Sequence, residues 1–307
     1  MLKWRKSKEC LQTNKIFIEK NSNPFYFSLF TPVTRYSKCI QMIYFECIPL
    51  RKFSIFLSYN MCTLTYLPYS EGFILTSNRD ERIDRKTIPP VAYSLDGNCV
   101  IFPKDTEASG SWIGLNVNRK ISCLLNGAFS RHVKQEYHTK SRGLVLLESL
   151  TNPNFISFFK KSNFHQVEPF TLLHIDYSSE LQLTKGVWDG GQYYLAELAA
   201  DRPHILASAL LYSEDERLLR EQWFENFLND YPVYNPTDIF HFHTSRHTDD
   251  ESSNILVSRM NGYVRTVSIS QIIHTVQNTH FNYFDLLTNE SHSLKVDKGI
   301  CDYHSKS

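Results

Sequence analysis

The chain has 307 residues, enough for one large domain or two small ones, and its 42% hydrophobic and 21% charged composition is that of an ordinary globular protein. Its net charge of +1 averages two unlike parts: residues 1–60 hold ten Lys and Arg against three Glu, leaving 23 basic and 29 acidic residues for the remainder. The net-negative bulk argues against nucleic-acid binding, and no apolar run approaches the roughly 20 residues of a transmembrane helix.

All 11 glycines also lie beyond residue 60. A folded stretch of 60 residues with several turns would use some glycine for positive φ. Residues 1–60 are therefore expected to be an extension outside the fold, either sequence upstream of a true start at Met61 or a cleaved segment, with 61–307 as a single domain. The seven cysteines, Cys10, Cys39, Cys47, Cys62, Cys99, Cys123 and Cys301, form no CxxC pair. That spacing predicts free thiols in a reducing compartment, and hence a cytoplasmic protein, rather than a disulfide framework or a zinc site.

From Met61 onward the pattern opens with strands. Thr63–Tyr66 alternates, Pro68–Gly72 turns, and Gly72–Ser77 alternates again, predicting a hairpin. A charged loop and a break at Pro89-Pro90 precede further strands at 99–103, 112–116 and 120–125. The apolar run 144–150 predicts a helix, and Pro153 is placed to start another. Strands return at 170–177, 181–188 and 192–198, with a further apolar stretch at 203–211. Ser213 to Glu216 is a capping-box pattern, opening a helix to about Asp230 with Leu218, Leu219, Trp223, Phe224, Phe227 and Leu228 on its buried side. Thr237 is a candidate cap for a short helix through Phe242. Asn261-Gly262 joins a hairpin of 254–260 and 263–269, and strands at 279–285 and 291–296 close the chain. The fold class is α+β with mainly antiparallel strands.

Several motifs carry a resemblance: the Met61-Cys62 start, Asn78-Arg79-Asp80-Glu81, Gly110-Ser-Trp112-Ile-Gly114, Leu125-Asn126-Gly127, Ser141-Arg142-Gly143 and Arg220-Glu-Gln-Trp223. Together the chain resembles the NRDE family, also called the Transport and Golgi organisation protein 2 family. The resemblance implies an N-terminal nucleophile hydrolase-like architecture, a four-layer α/β/β/α sandwich of two mainly antiparallel sheets. Cysteine members of that superfamily place an Arg and an Asp three residues apart near the end of the second strand. Here Arg79 and Asp80 are adjacent, so a register matching Asn78 and Glu81 stays open.

The chemistry rests on one residue. A Cys thiol ionises near 8.5 and an α-amine near 7.7–8.0, close enough for the amine to take the thiol proton. If Met61 is removed, Cys62 carries both groups. Cys62 is then the expected nucleophile, with its α-amine as base, Asp80 orienting that amine, Arg79 favouring the thiolate and Asn126 a candidate oxyanion donor. Asn78, Glu81 and Trp112 are candidate substrate-binding residues. The expected function is hydrolysis of carbon-nitrogen amide bonds other than ordinary peptide bonds. The alternative, implied by the resemblance, is a binding or trafficking protein for an apolar, lipid-like ligand such as haem or acyl-CoA. No cofactor motif is present, and His241, His243 and His247, followed by Asp249, Asp250 and Glu251, lack metal-site spacing and are expected as capping or surface residues.

Overall fold

Alternating burial along the strands builds two antiparallel sheets, and the computed structural model describes residues 62–210, 212–297 and 300. These fall in the unit Ile55–Ser307. Met61 and the expected 1–60 extension lie outside the described residues.

Strand β1 (Thr63–Tyr69) turns through Ser70 and Glu71, both at positive φ, into β2 (Gly72–Arg82). β2 was expected to end near Ser77. It continues through the charged stretch to Arg82 because residues 264–274 pair along it as far as Arg82. β3 (Thr87–Leu95) and β4 (Asn98–Asp105) follow. Pro89 and Pro90 lie inside β3 rather than breaking the chain. β3 is an edge strand, where a missing N–H need not interrupt a ladder, and its register shifts between Ile88 and Val91.

β5 (Ile113–Asn116) and β6 (Lys120–Asn126) lead to α1 (Arg142–Thr151), capped by Ser141, and α2 (Phe155–Lys161), capped by Asn154. Then come β7 (Phe170–Asp176), β8 (Gln182–Trp188), β9 (Tyr193–Leu198) and β10 (His204–Ala207). α3 (Glu214–Asp230) begins with the expected capping box between Ser213 and Glu216, whereas α4 (Pro236–His243) is capped by Asn235 and not Thr237. β11 (Ser258–Arg259), β12 (Val264–His274), β13 (Thr279–Asp285) and β14 (Glu290–Val296) complete the chain.

One sheet runs β10-β1-β2-β12-β13-β14 with β11 on β12, and the other runs β3 to β9 in sequence order. The inner faces share a core that includes Leu64, Tyr66, Phe73 and Leu75 from the first sheet and Ile101, Ile113, Ile121 and Leu173 from the second. α1 and α2 cover the outside of the second sheet through Val145, Leu150, Phe155 and Phe159. α3 and α4 cover the first through Phe224, Phe227, Ile239 and Phe242. The layers are therefore α/β/β/α, the architecture the resemblance implied.

α3 is rotated from its expected face. Leu218 and Leu219 are 56% and 41% exposed, while Arg220 has no exposed surface. The buried stripe is Arg220, Phe224 and Phe227, an i, i+4, i+7 series. Cys62 and Cys123 are free thiols, but Cys99 is disulfide-bonded, so the expectation of free thiols throughout fails there. No helix among the described residues is long and apolar enough to cross a membrane.

Candidate active site

The β1–β2 register pairs Leu64 with Ser77, and its continuation by two residues sets Cys62 across from Arg79. Successive strand residues point to opposite faces. Arg79 therefore faces the other sheet, whereas Asn78 and Asp80 face the helix layer.

Arg79 crosses to the second sheet. Its Nη2 donates to Asp105 Oδ2 at 2.5 Å and its Nη1 to Thr87 Oγ1 at 2.7 Å, and the guanidinium lies 4.5 Å from the Trp112 ring centroid. Asp105 is also paired with Arg85 at 2.8 Å. Burial raises the Asp105 pKa, but the Ala108 N–H and the two arginines outweigh it, holding the carboxyl below its ordinary value. Glu81 joins this network through Arg85 at 3.1 Å and accepts from the Arg82 N–H at 2.9 Å.

Asp80 is fully buried. Thr266 Oγ1 donates to its Oδ1 at 2.6 Å and the Tyr212 hydroxyl to its Oδ2 at 3.2 Å. Burial pushes its pKa up to about 7, against the pull of Thr266, Arg220 and Tyr212. At Cys62, burial raises the thiol pKa furthest, followed by the Asp80 charge and Cys123, while the Asp80 N–H and Arg79 oppose. Burial thus favours the protonated thiol at Cys62.

Asn126 ends β6 at the same place. Ser208 ties it to the thiol residue, since its N–H donates to the Cys62 carbonyl at 3.0 Å and its Oγ to the Asn126 carbonyl at 2.5 Å. Behind them, the backbones of Gly110 and Gly143 touch. A Cβ on Gly110 would sit 2.5 Å from the Gly143 carbonyl carbon, and one on Gly143 would sit 2.8 Å from the Ser111 nitrogen. Two motifs far apart in sequence thus meet through glycine, and their contact brings the start of α1 to the site.

That contact delivers Arg142, a buried guanidinium 3.7 Å from Glu168 and with its Nη1 3.4 Å from the Pro169 carbonyl. Burial lowers the Arg142 pKa, and the Glu168 charge opposes it. Burial likewise opposes ionisation of Glu168, but His132, Arg142 and Lys134 hold its pKa near 2. Apart from a cation in the first turn of a helix, where acids are favoured, nothing in the sequence marks Arg142 or Ser208 for a role at the site.

Cys62, Arg79, Asp80, Glu81, Trp112, Asn126 and Arg142 all line one pocket of about 500 Å³. Of the residues expected from sequence, Asn78 alone lies elsewhere. Its Nδ2 donates to the carbonyls of His243 and Ile255 at 3.1 and 3.0 Å, and its Oδ1 lies 2.7 Å from His243 Nδ1. This fastens α4 to the sheet, a position from which Asn78 cannot contact a ligand in the pocket. His243 is correspondingly a core residue rather than a capping or surface one, with Nε2 2.8 Å from Thr65 Oγ1. His247 stacks on Trp223. No cluster of metal-binding side chains is present among the described residues.

The family model described as Transport and Golgi organisation 2 matches residues 61–194, which bears out the resemblance over that stretch. The Arg220 to Trp223 motif lies beyond it. No curated protein matches the sequence. Among solved structures, penicillin V acylase from Agrobacterium tumefaciens is similar with a TM-score of 0.48 and 11% identity, covering 77% of this chain and 86% of that one. A variant of conjugated bile acid hydrolase from Clostridium perfringens gives 0.44 and 12%, covering 77% and 98%. The Caenorhabditis elegans ortholog of N-acylethanolamine-hydrolyzing acid amidase gives 0.40 and 12%, covering 69% and 92%.

Proposed function

We propose that the working protein begins at Cys62 and cleaves amide bonds of small acylated substrates, with the Cys62 thiol as nucleophile and its own α-amine as base. The observation that carries this reading is the meeting of Cys62, Arg79, Asp80, Asn126 and Arg142 on one pocket.

In the proposed reaction the α-amine accepts the thiol proton as sulfur attacks the substrate carbonyl carbon. A C–S bond forms and the carbonyl oxygen becomes an oxyanion, to which the Asn126 amide is the candidate donor. Collapse breaks the C–N bond, and the leaving amine takes the proton from the α-ammonium. Water, giving its proton to the α-amine, then attacks the thioester and releases the acid and the thiol. Asp80 orients the amine. Arg79 is held by Asp105 and Thr87, so its part is a fixed positive field near the sulfur.

A pocket ringed by Arg82, Arg85, Lys134, Lys140 and Glu107 is a poor match for a wholly apolar cargo. It favours a substrate with polar or charged groups beside its acyl chain. Glu81 and Trp112 line the same wall and are the proposed substrate contacts.

Intact-mass analysis of the natural protein is expected to find Cys62 at the N-terminus, and Cys62→Ala should lower turnover of an N-acyl amide panel about a thousandfold or more. Full activity with residues 1–61 still attached would overturn the reading, because the base would then be a peptide nitrogen.

A further inference from the structure

Among the described residues, Arg220 is the largest side chain without exposed surface, and the reaction above leaves it unused. Its Nη1 donates to the Glu216 carbonyl at 2.9 Å and its Nη2 to the Asn254 carbonyl at 2.7 Å. Its guanidinium lies 3.4 Å from the centroid of the Tyr212 ring. A buried cation is a poor device for stability alone, since an apolar side chain of similar volume commonly serves as well or better. Its position is informative. Tyr212, the ring it stacks on, gives its hydroxyl to Asp80, and burial together with the Asp80 charge keeps that hydroxyl protonated and therefore a donor.

We propose that Tyr212 and Arg220 are positioning residues for the Cys62 site: Arg220, pinned by two backbone carbonyls, fixes the Tyr212 ring, and the Tyr212 hydroxyl with Thr266 clamps the Asp80 carboxylate. The inference rests on the reading of Cys62 as nucleophile and assigns the Arg220 motif a task within it. The groups facing Asp80 come from every side. Thr266 stands on β12, Arg259 on β11, Tyr212 just before α3 and Arg220 on α3, and Cys62, just before β1, feels the Asp80 charge. Arg259 is partly committed to Glu216, at 2.9 Å. Arg220 is therefore the closest support behind the tyrosine, and its flat face is what a lysine lacks.

The test follows alkylation of Cys62 by iodoacetamide in the purified protein, read by intact mass between about pH 5 and pH 9, a range that brackets the Asp80 ionisation near 7. Tyr212→Phe keeps the ring and removes one hydrogen bond to the charged form of Asp80. The inflection is expected to rise by about one pH unit, a tenfold change in proton affinity. Arg220→Lys should shift it in the same direction. If Tyr212→Phe and Arg220→Lys keep the parent profile while Asp80→Asn changes it, the clamp is overturned and the Asp80 role stands. If Asp80→Asn also leaves the profile unchanged, the role of Asp80 at Cys62 falls, and the clamp with it. Should Arg220→Lys fail to fold, Tyr212→Phe decides alone.

Discussion

Asn78 and Asp80 share one face of β2 and serve different ends. Asn78 is spent on α4, so Asn78→Ala strands His243 Nδ1 and two carbonyls in a dry interface. The expected cost is about 1–3 kcal/mol, read by urea denaturation, with the alkylation rate of Cys62 unchanged. His243 itself carries a pH dependence. Burial depresses its pKa from 6.5 to about 3, so between those values the unfolded chain binds the extra proton. The stability held by the neutral ring is complete above about pH 6.5 and is lost as pH falls towards 3. His243→Gln should flatten that part of a plot of Tm against pH, relative to the parent. Neither role was legible beforehand, because a polar run says nothing about which strand face each side chain takes until the strand's length is known.

At the scale of elements, the site is assembled by contacts that spacing cannot foresee. Hairpin β1–β2, strand β6, helix α1 and the capping box that opens α3 were legible from alternation and turn chemistry. β3 was not, since two consecutive prolines read as a break unless the strand is known to be an edge. The rotation of α3 was hidden for a related reason: an arginine counts as polar in any periodicity, although here a tyrosine ring and two carbonyls receive it. The contact between Gly110 and Gly143 places α1, and it leaves no room for a methyl. Gly143→Ala should cost at least about 2 kcal/mol, because backbone rather than a flexible side chain must move. Thermal melting measures this.

For the whole molecule, the change in glycine and charge near residue 60 predicts that the fold needs only the later part. A chain starting at Met61 should melt within about 2 °C of the full-length protein, a difference under about 1 kcal/mol for a domain of this size. The four-layer order was legible only through the family motifs. Composition and periodicity yielded two kinds of element without saying which faces meet. The chemistry proposed for these layers rests on the Met-Cys pair, a feature of two residues.

The Arg79–Asp105 pair joins the two sheets at the pocket, and β2, which carries Arg79 and Asp80, is buried from Phe73 to Glu81 with ladders on both sides. Amide protons there are shielded by the core and by neighbours on either edge, so they exchange with solvent only when the sheets part. Edge strand β9, exposed at four of its six residues, exchanges through local fraying instead. The candidate site is thus expected among the slowest-exchanging of the described segments: partial unfolding at the periphery leaves it assembled, and the opening of both sheets dismantles it.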